Sequence, residues 1–103
     1  MSFYTLRQIA DILGLDPEFL DQLAREEILL PDAEAGSGPE PGYSERMLER
    51  ARVAHELVHE LEVNLAGASV IVRLREEMVV LRQRVHVLAR EVERTREPDR
   101  TRS

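Results

Sequence analysis

The chain has 103 residues, a net charge of −6, no cysteine and only 4% aromatic residues. This length provides room for one domain with a core of alanine, leucine and valine, and the lack of cysteine excludes a disulfide framework or a thiolate metal site. No stretch resembles a signal peptide or approaches the roughly 18 apolar residues of a membrane span. We therefore expect a soluble, cytoplasmic protein of the all-α class that needs no cofactor and contacts no membrane.

Two short helices are predicted at the amino terminus. Thr5 and Gln8 have the spacing of a capping box, which starts the first helix, and Gly14 supplies its left-handed end. Asp16 is a good N-cap for the second helix, with Pro17 at its first position. Two amphipathic helices joined by such a tight turn are typical of a helix-turn-helix.

A loop and a third helix complete the predicted head, residues 1–62. Residues 31–42 contain only Pro, Gly, Ser, Asp, Glu and Ala, a composition that predicts a loop. Leu29 and Leu30 precede this loop and Tyr43 follows it, so we expect residues 29–43 to form a minimal two-stranded wing. Ser44 is the predicted cap of a long helix with an apolar stripe from Met47 to Leu61.

The second region, residues 63–97, carries the most regular periodicity in the chain. Apolar residues alternate at spacings of three and four, the heptad pattern of a coiled coil. The predicted dimerisation seam consists of Ile71, Leu74, Met78, Leu81, Val85, Leu88 and Val92. Val72, Val79, Val80 and Val87 widen the stripe, so this helix is expected to pack on the head as well as on a partner.

A homodimer is the favoured interpretation of this seam, with one flank of a monomeric bundle as the alternative. The rest of the chain is too short to bury both faces of the helix. Parallel and antiparallel pairing both remain open, because Glu77 at g and Arg82 at e also suit a parallel pair. Residues 98–103 are predicted to be a disordered tail.

The sequence His55-Glu56-Leu57-Val58-His59 matches the H-E-x-x-H pattern of zinc proteases. On a helix this spacing places two imidazoles one turn apart, with the glutamate as a base. The extended form of the motif, with a later Gly and His, is absent after His59, and Glu76 or His86 could supply a third ligand only if the chain folded back. The predicted helices also offer no substrate cleft. We therefore expect two solvated histidines, no metal, no catalytic residue and no enzyme activity.

Several segments resemble the MerR-type winged helix-turn-helix. They are residues 4–10 (YTLRQIA), 14–17 (GLDP), Pro31 and 42–45 (GYSE). Residues 63–67 (VNLAG) leading into 81–85 (LRQRV) resemble the branch that contains the heat-shock repressor HspR and the chaperone modulator CbpM. Over residues 3–92, this resemblance implies a winged helix-turn-helix head followed by a coiled-coil dimerisation helix. It also implies two functions, DNA-binding regulation and binding to the J-domain of a DnaJ-like co-chaperone.

Charge separates these two functions. Residues 1–45 hold ten carboxylates and two arginines, a net charge of −8. Glu18, Asp21, Gln22 and Arg25 share one face of the second helix and form the predicted partner-binding site. The resemblance implies an arginine and an aromatic residue on this face in DNA-binding relatives, and Asp21 and Leu23 occupy those positions.

An acidic face is repelled by DNA phosphates and attracted to a basic protein surface. The sequence therefore favours a chaperone modulator that binds a J-domain and inhibits its action on DnaK. An HspR-like DNA-binding regulator is the second interpretation, and an unrelated oligomer is the third.

Overall fold

The computed structural model describes residues 2–35 and 38–101, with side chains described through residue 96. Apart from two short strands, all its regular elements are helical, as the sequence predicts. In chain order they are β1 (Phe3–Tyr4), α1 (Leu6–Leu13), α2 (Pro17–Arg25), β2 (Tyr43–Ser44), α3 (Glu45–His55), a π-helix (Glu56–Glu60) and α4 (Leu65–Thr101). Across the described residues, no helix combines the length and the apolar character that crossing a membrane requires.

The ends of α1 and α2 follow the local signals in the sequence. The Gln8 N–H donates to Thr5 Oγ1 at 3.2 Å, and the Thr5 N–H donates to Gln8 Oε1 at 2.9 Å, which completes the capping box. Gly14 ends α1 with a φ of +67°, a left-handed conformation that glycine adopts without steric cost. Asp16 caps α2, since its Oδ1 accepts a 2.9 Å hydrogen bond from the Glu18 N–H. Both predicted helix starts are confirmed.

The strands of the head differ from the predicted wing. Strand β1 pairs antiparallel with β2, so that Tyr4 lies opposite Tyr43. The predicted pairing of Leu29 and Leu30 with Tyr43 is therefore wrong, because the amino-terminal strand occupies this edge. Leu29 is instead buried in the core, and the Leu30 N–H donates to Met47 Sδ at 3.4 Å.

The loop predicted at residues 31–42 is described in part. Residues 31–35 and 38–42 form neither helix nor strand, while residues 36 and 37 lie outside the described residues. Its two ends are tied together, since the Asp32 N–H donates to the Gly42 carbonyl at 2.8 Å. A side chain at Gly42 would meet the Ala35 Cβ, so this position admits little more than a hydrogen atom.

The core of the head lies between α1, α2 and α3. Its largest fully buried side chains are Ile9, Leu20, Leu23, Ile28 and Leu29. One charged residue, Arg50 of α3, is buried beside them. Its Nη1 donates to the Ile28 carbonyl at 3.0 Å, which satisfies a backbone acceptor in the segment that follows α2.

The third helix is shorter and less regular than its apolar stripe predicts. Ser44 lies at its N-cap position, but its side chain makes no capping hydrogen bond. Helix α3 changes at its carboxyl end into the π-helix Glu56–Glu60. Glu62 then adopts a left-handed φ of 57°, and the Val63 N–H donates to the Leu57 carbonyl at 2.8 Å. Asn64 caps α4, because its Oδ1 accepts a 2.7 Å bond from the Gly67 N–H.

The chain divides into two compact units at residue 72. The first unit runs beyond the boundary predicted at residue 62, because Ala68 and Val72 are buried with Val53 and Leu57. Val72 thus packs on the head, as the widened stripe predicts. The second unit starts at Arg73, and α4 continues to Thr101, into the tail predicted to be disordered at residues 98–103. The last two residues of that prediction, 102 and 103, lie outside the described residues.

Candidate functional site

The predicted partner-binding face is an exposed face of α2. Its members Glu18, Asp21, Gln22 and Arg25 are all exposed. The opposite side of the helix is held in the core by Phe19, Leu20 and Leu23, so the packing of the head fixes which side faces solvent.

The buried side of α2 corrects one sequence comparison. Leu23 was compared with an exposed aromatic residue of DNA-binding relatives, yet it is fully buried in the head core. It packs with Ile9 and Leu20 because it lies on the apolar stripe of the helix. Leu23 therefore offers no surface to DNA or to a protein partner.

A cleft with mixed charge lies on the side of α2 that carries Pro17 and Asp21. It has a volume of about 290 Å³, and one cation, Arg7, and two carboxylates, Asp21 and Glu40, line it together with Tyr43. Burial raises the pKa of the Tyr43 hydroxyl above its ordinary value of 10.0, and the negative charge of Asp21 raises it further. The grouping of α1, α2 and the loop residue Glu40 depends on tertiary packing, and it was not predicted from the sequence.

A second cleft lies on the side of α2 that carries Glu18 and Gln22, and we call it the histidine pocket. It has a volume of about 220 Å³. Its lining residues are Asp16, Glu18, Phe19, Gln22, His55 and His59. Arg25, the last member of the predicted face, lines neither this pocket nor the mixed-charge cleft.

The three rings of the histidine pocket contact one another. Phe19 meets His59 edge to face at a centroid distance of 4.9 Å and meets His55 at 5.7 Å. The two imidazole rings lie 4.4 Å apart and are tilted by 32°. The expectation of two solvated histidines is therefore wrong in part, because His55 is half-buried and both rings pack on Phe19, although His59 remains exposed. The sequence analysis did not single out Phe19. The one signal for it was that aromatic residues are scarce, since the chain has only two phenylalanines.

The glutamate of the H-E-x-x-H pattern, Glu56, does not line the histidine pocket but pairs with an arginine. Glu56 Oε1 accepts a 2.6 Å bond from Arg52 Nη1, and the same guanidinium pairs with Glu49 at 2.6 Å. The hydrogen bond and charge of Glu49, followed by the charge of Glu56, raise the pKa of Arg52. Among the described residues, no three His, Asp or Glu side chains are grouped so that they could hold a metal ion.

The predicted dimerisation seam is uncovered in the single chain. The exposed fractions of its seven side chains lie between 38% for Ile71 and 66% for Val85. Val79, Val80 and Val87, which widen the seam, are exposed as well. From Arg73 to Arg96 every side chain is exposed except that of Glu76, which is half-buried.

Comparisons with known proteins match both the head and α4. The profile of a family described as "MerR HTH family regulatory protein" matches residues 4–90. The chain belongs to the MerR helix-turn-helix family. This MerR-family match confirms the predicted helix-turn-helix head, and it extends from β1 through most of α4.

One relative of this MerR-family chain is a Streptomyces coelicolor protein named "Putative heat shock protein HspR". The two are 34% identical over 86 residues, which cover 84% of the chain and 56% of the Streptomyces protein. The chain thus spans little more than half the length of this relative. The similarity supports an HspR-like, MerR-type assignment, whereas membership of the CbpM group stays a prediction.

Proposed function

We propose that this chain is an HspR-like regulator of the MerR family, a non-enzymatic protein that works in the cytoplasm as a homodimer. The similarity to HspR carries the proposal, because it runs over 86 residues, which are 84% of this chain. The proposal ranks an HspR-like regulator above a chaperone modulator, which is the reverse of the ranking that charge alone favours.

In a DNA-binding regulator, the contacts to phosphate would fall to arginines of the head. Arg7, Arg25 and Arg46 are all exposed. Phosphate neutralisation by such residues supplies most of the sequence-independent affinity for DNA. The carboxylates of Glu18 and Asp21 on α2 repel the phosphates. We therefore expect that DNA without a specific sequence is bound weakly and that binding depends steeply on salt.

A chaperone modulator that binds a J-domain is the second candidate function. The observation that favours it is the exposure of Glu18 and Asp21 on α2, in a head that carries ten carboxylates and two arginines over residues 1–45. Such a surface attracts a basic protein partner and steers its association. In this case the head would cover the basic surface of the J-domain and inhibit its action on DnaK.

Two binding assays on the full chain separate the candidates. The first is a gel shift on the promoter region of its own gene, and the second is a titration onto a purified J-domain protein from the same cell. The HspR-like proposal expects a specific gel shift at nanomolar concentration and moderate salt. A J-domain complex without a gel shift would replace it with the chaperone modulator, and failure of both assays would contradict both candidates.

A charge-reversed variant sharpens the result. The double substitution Glu18→Arg and Asp21→Arg leaves the core intact, because both side chains are exposed. It should strengthen binding to DNA if DNA is the partner, and it should slow association with a J-domain if a basic protein is the partner. Reversal of Glu26 and Glu27, exposed glutamates just beyond α2, provides the matched control with the same change in net charge.

A further inference from the structure

The histidine pocket combines negative charge with aromatic rings. Asp16 and Glu18 supply the carboxylates, and Phe19, His55 and His59 supply the rings. Among the residues that the structure describes, no arginine lines it. We infer that this pocket receives an arginine side chain from the basic surface of a partner protein, with the guanidinium against the rings and bonded to the carboxylates.

The carboxylates retain the capacity to bind a cation. Asp16 Oδ1 accepts the capping bond from the Glu18 N–H. An ionised carboxylate has two oxygens with about four acceptor sites, so one such bond leaves most of the capacity of Asp16 available. Glu18 is exposed in the first turn of α2 and adds a second carboxylate at the same mouth.

The rings favour a planar cation over a compact one. Phe19, His55 and His59 are held against one another at centroid distances of 4.4 to 5.7 Å. A guanidinium is flat, stacks on aromatic faces and forms bidentate bonds with carboxylates, whereas an ammonium is a hydrated point charge. A volume of about 220 Å³ also accommodates a group of this size, since one water molecule occupies about 30 Å³ in the liquid.

Other ligands suit the pocket less well. An anion would be repelled by Asp16 and Glu18. A metal ion lacks a third ligand among the described side chains.

The backbone beside the pocket also favours a functional role. The π-helix Glu56–Glu60 carries His59, and π-helical turns occur frequently at functional sites. The inference goes beyond the proposed function and is compatible with either candidate, because Glu18 and Gln22 of the α2 face line the pocket whereas Asp21 and Arg25 do not.

The test uses nuclear magnetic resonance on the full chain with two short neutral-ended peptides, acetyl-Gly-Arg-Gly-amide and acetyl-Gly-Lys-Gly-amide. His55, His59 and His86 are the three histidines of the chain, and His86 lies in the exposed part of α4. The imidazole signals of His55 and His59 should shift saturably with the arginine peptide at pH 7.5 while that of His86 stays fixed. The lysine peptide should cause smaller shifts at every concentration.

A charge-neutral variant of Glu18 tests whether its carboxylate binds the guanidinium group. Glu18→Gln should weaken binding of the arginine peptide about two- to fivefold, the effect of losing one exposed ion pair. Glu26→Gln, just beyond the carboxyl end of α2, is the matched control and should leave binding unchanged. Equal shifts at His86, equal effects of the two peptides, or equal effects of the two variants would each overturn the inference.

The same experiment detects a different occupant. If an arginine of a second copy filled the pocket, dilution of the protein alone would shift the His55 and His59 signals, and the assignment to another protein would be wrong. Because neither DNA nor a J-domain is present, failure of this test is independent of the two assays of the proposed function.

Discussion

Replacement of Leu81 tests the homodimer. Leu81 is 56% exposed in the single chain, so a partner helix could still cover about half of its side chain. Complete burial of a leucine contributes about 1.5–3 kcal/mol, so covering half of it contributes about 1 kcal/mol in each copy. Leu81→Ala should therefore weaken a symmetric dimer by about 2 kcal/mol, or about thirtyfold in the dissociation constant. Leu81→Asp should abolish the dimer, because it would place a charge in the seam of both copies.

Sedimentation equilibrium between about 1 and 100 μM measures this constant for each variant. Gln83→Ala, at the heptad position farthest from the seam, is the control and should sediment like the wild type. These substitutions should leave the fold of the head unchanged, since Leu81 lies in the second unit and outside the core clusters. A wild-type chain that is monomeric at tens of micromolar, or an Asp variant that dimerises normally, would refute the seam.

Three further predictions concern the head. Glu27 has a left-handed φ of 58°, so Glu27→Gly should raise the free energy of unfolding in urea by about 0.5–1 kcal/mol, and a decrease would contradict this. Arg50→Met should lower the free energy of unfolding by about 2 kcal/mol, because it leaves the buried Ile28 carbonyl without its charged donor. The raised pKa of Tyr43 means that the folded chain holds a proton that the unfolded chain loses near pH 10. Stability should therefore fall as the pH rises above about 10, and Tyr43→Phe should reduce this fall; identical alkaline profiles would exclude the assigned cause.

The elements that the sequence predicts correctly depend on neighbouring residues. The capping box of Thr5 and Gln8, the Asp16 cap and the Gly14 end each involve residues within four positions of one another. The heptad seam is likewise visible from spacing alone, although its partner stays a prediction. Signals of this kind can be read from the sequence because the interacting residues are neighbours in the chain.

The features that the sequence did not predict depend on distant residues. Tyr43 pairs with Tyr4, and nothing in the residues around Tyr43 distinguishes that edge from Leu29 and Leu30. The contact of Phe19 with His59 likewise joins residues far apart in the chain. The charge of α2 was visible, yet charge alone cannot decide between DNA and protein partners.

The π-helix has a consequence for chain length. The Leu61 N–H bonds to the Glu56 carbonyl at 3.1 Å, a bond that spans one residue more than an α-helical bond does. This turn therefore contains one residue more than an α-helical turn. It lies between Val53 and Ala68, which are buried in the same cluster. A relative with one residue fewer between these positions would be expected to have an ordinary α-helix here, with the flanking packing preserved. A single-residue deletion should accordingly be tolerated at Glu60 far better than in α3, where it would rotate every following side chain by about 100°.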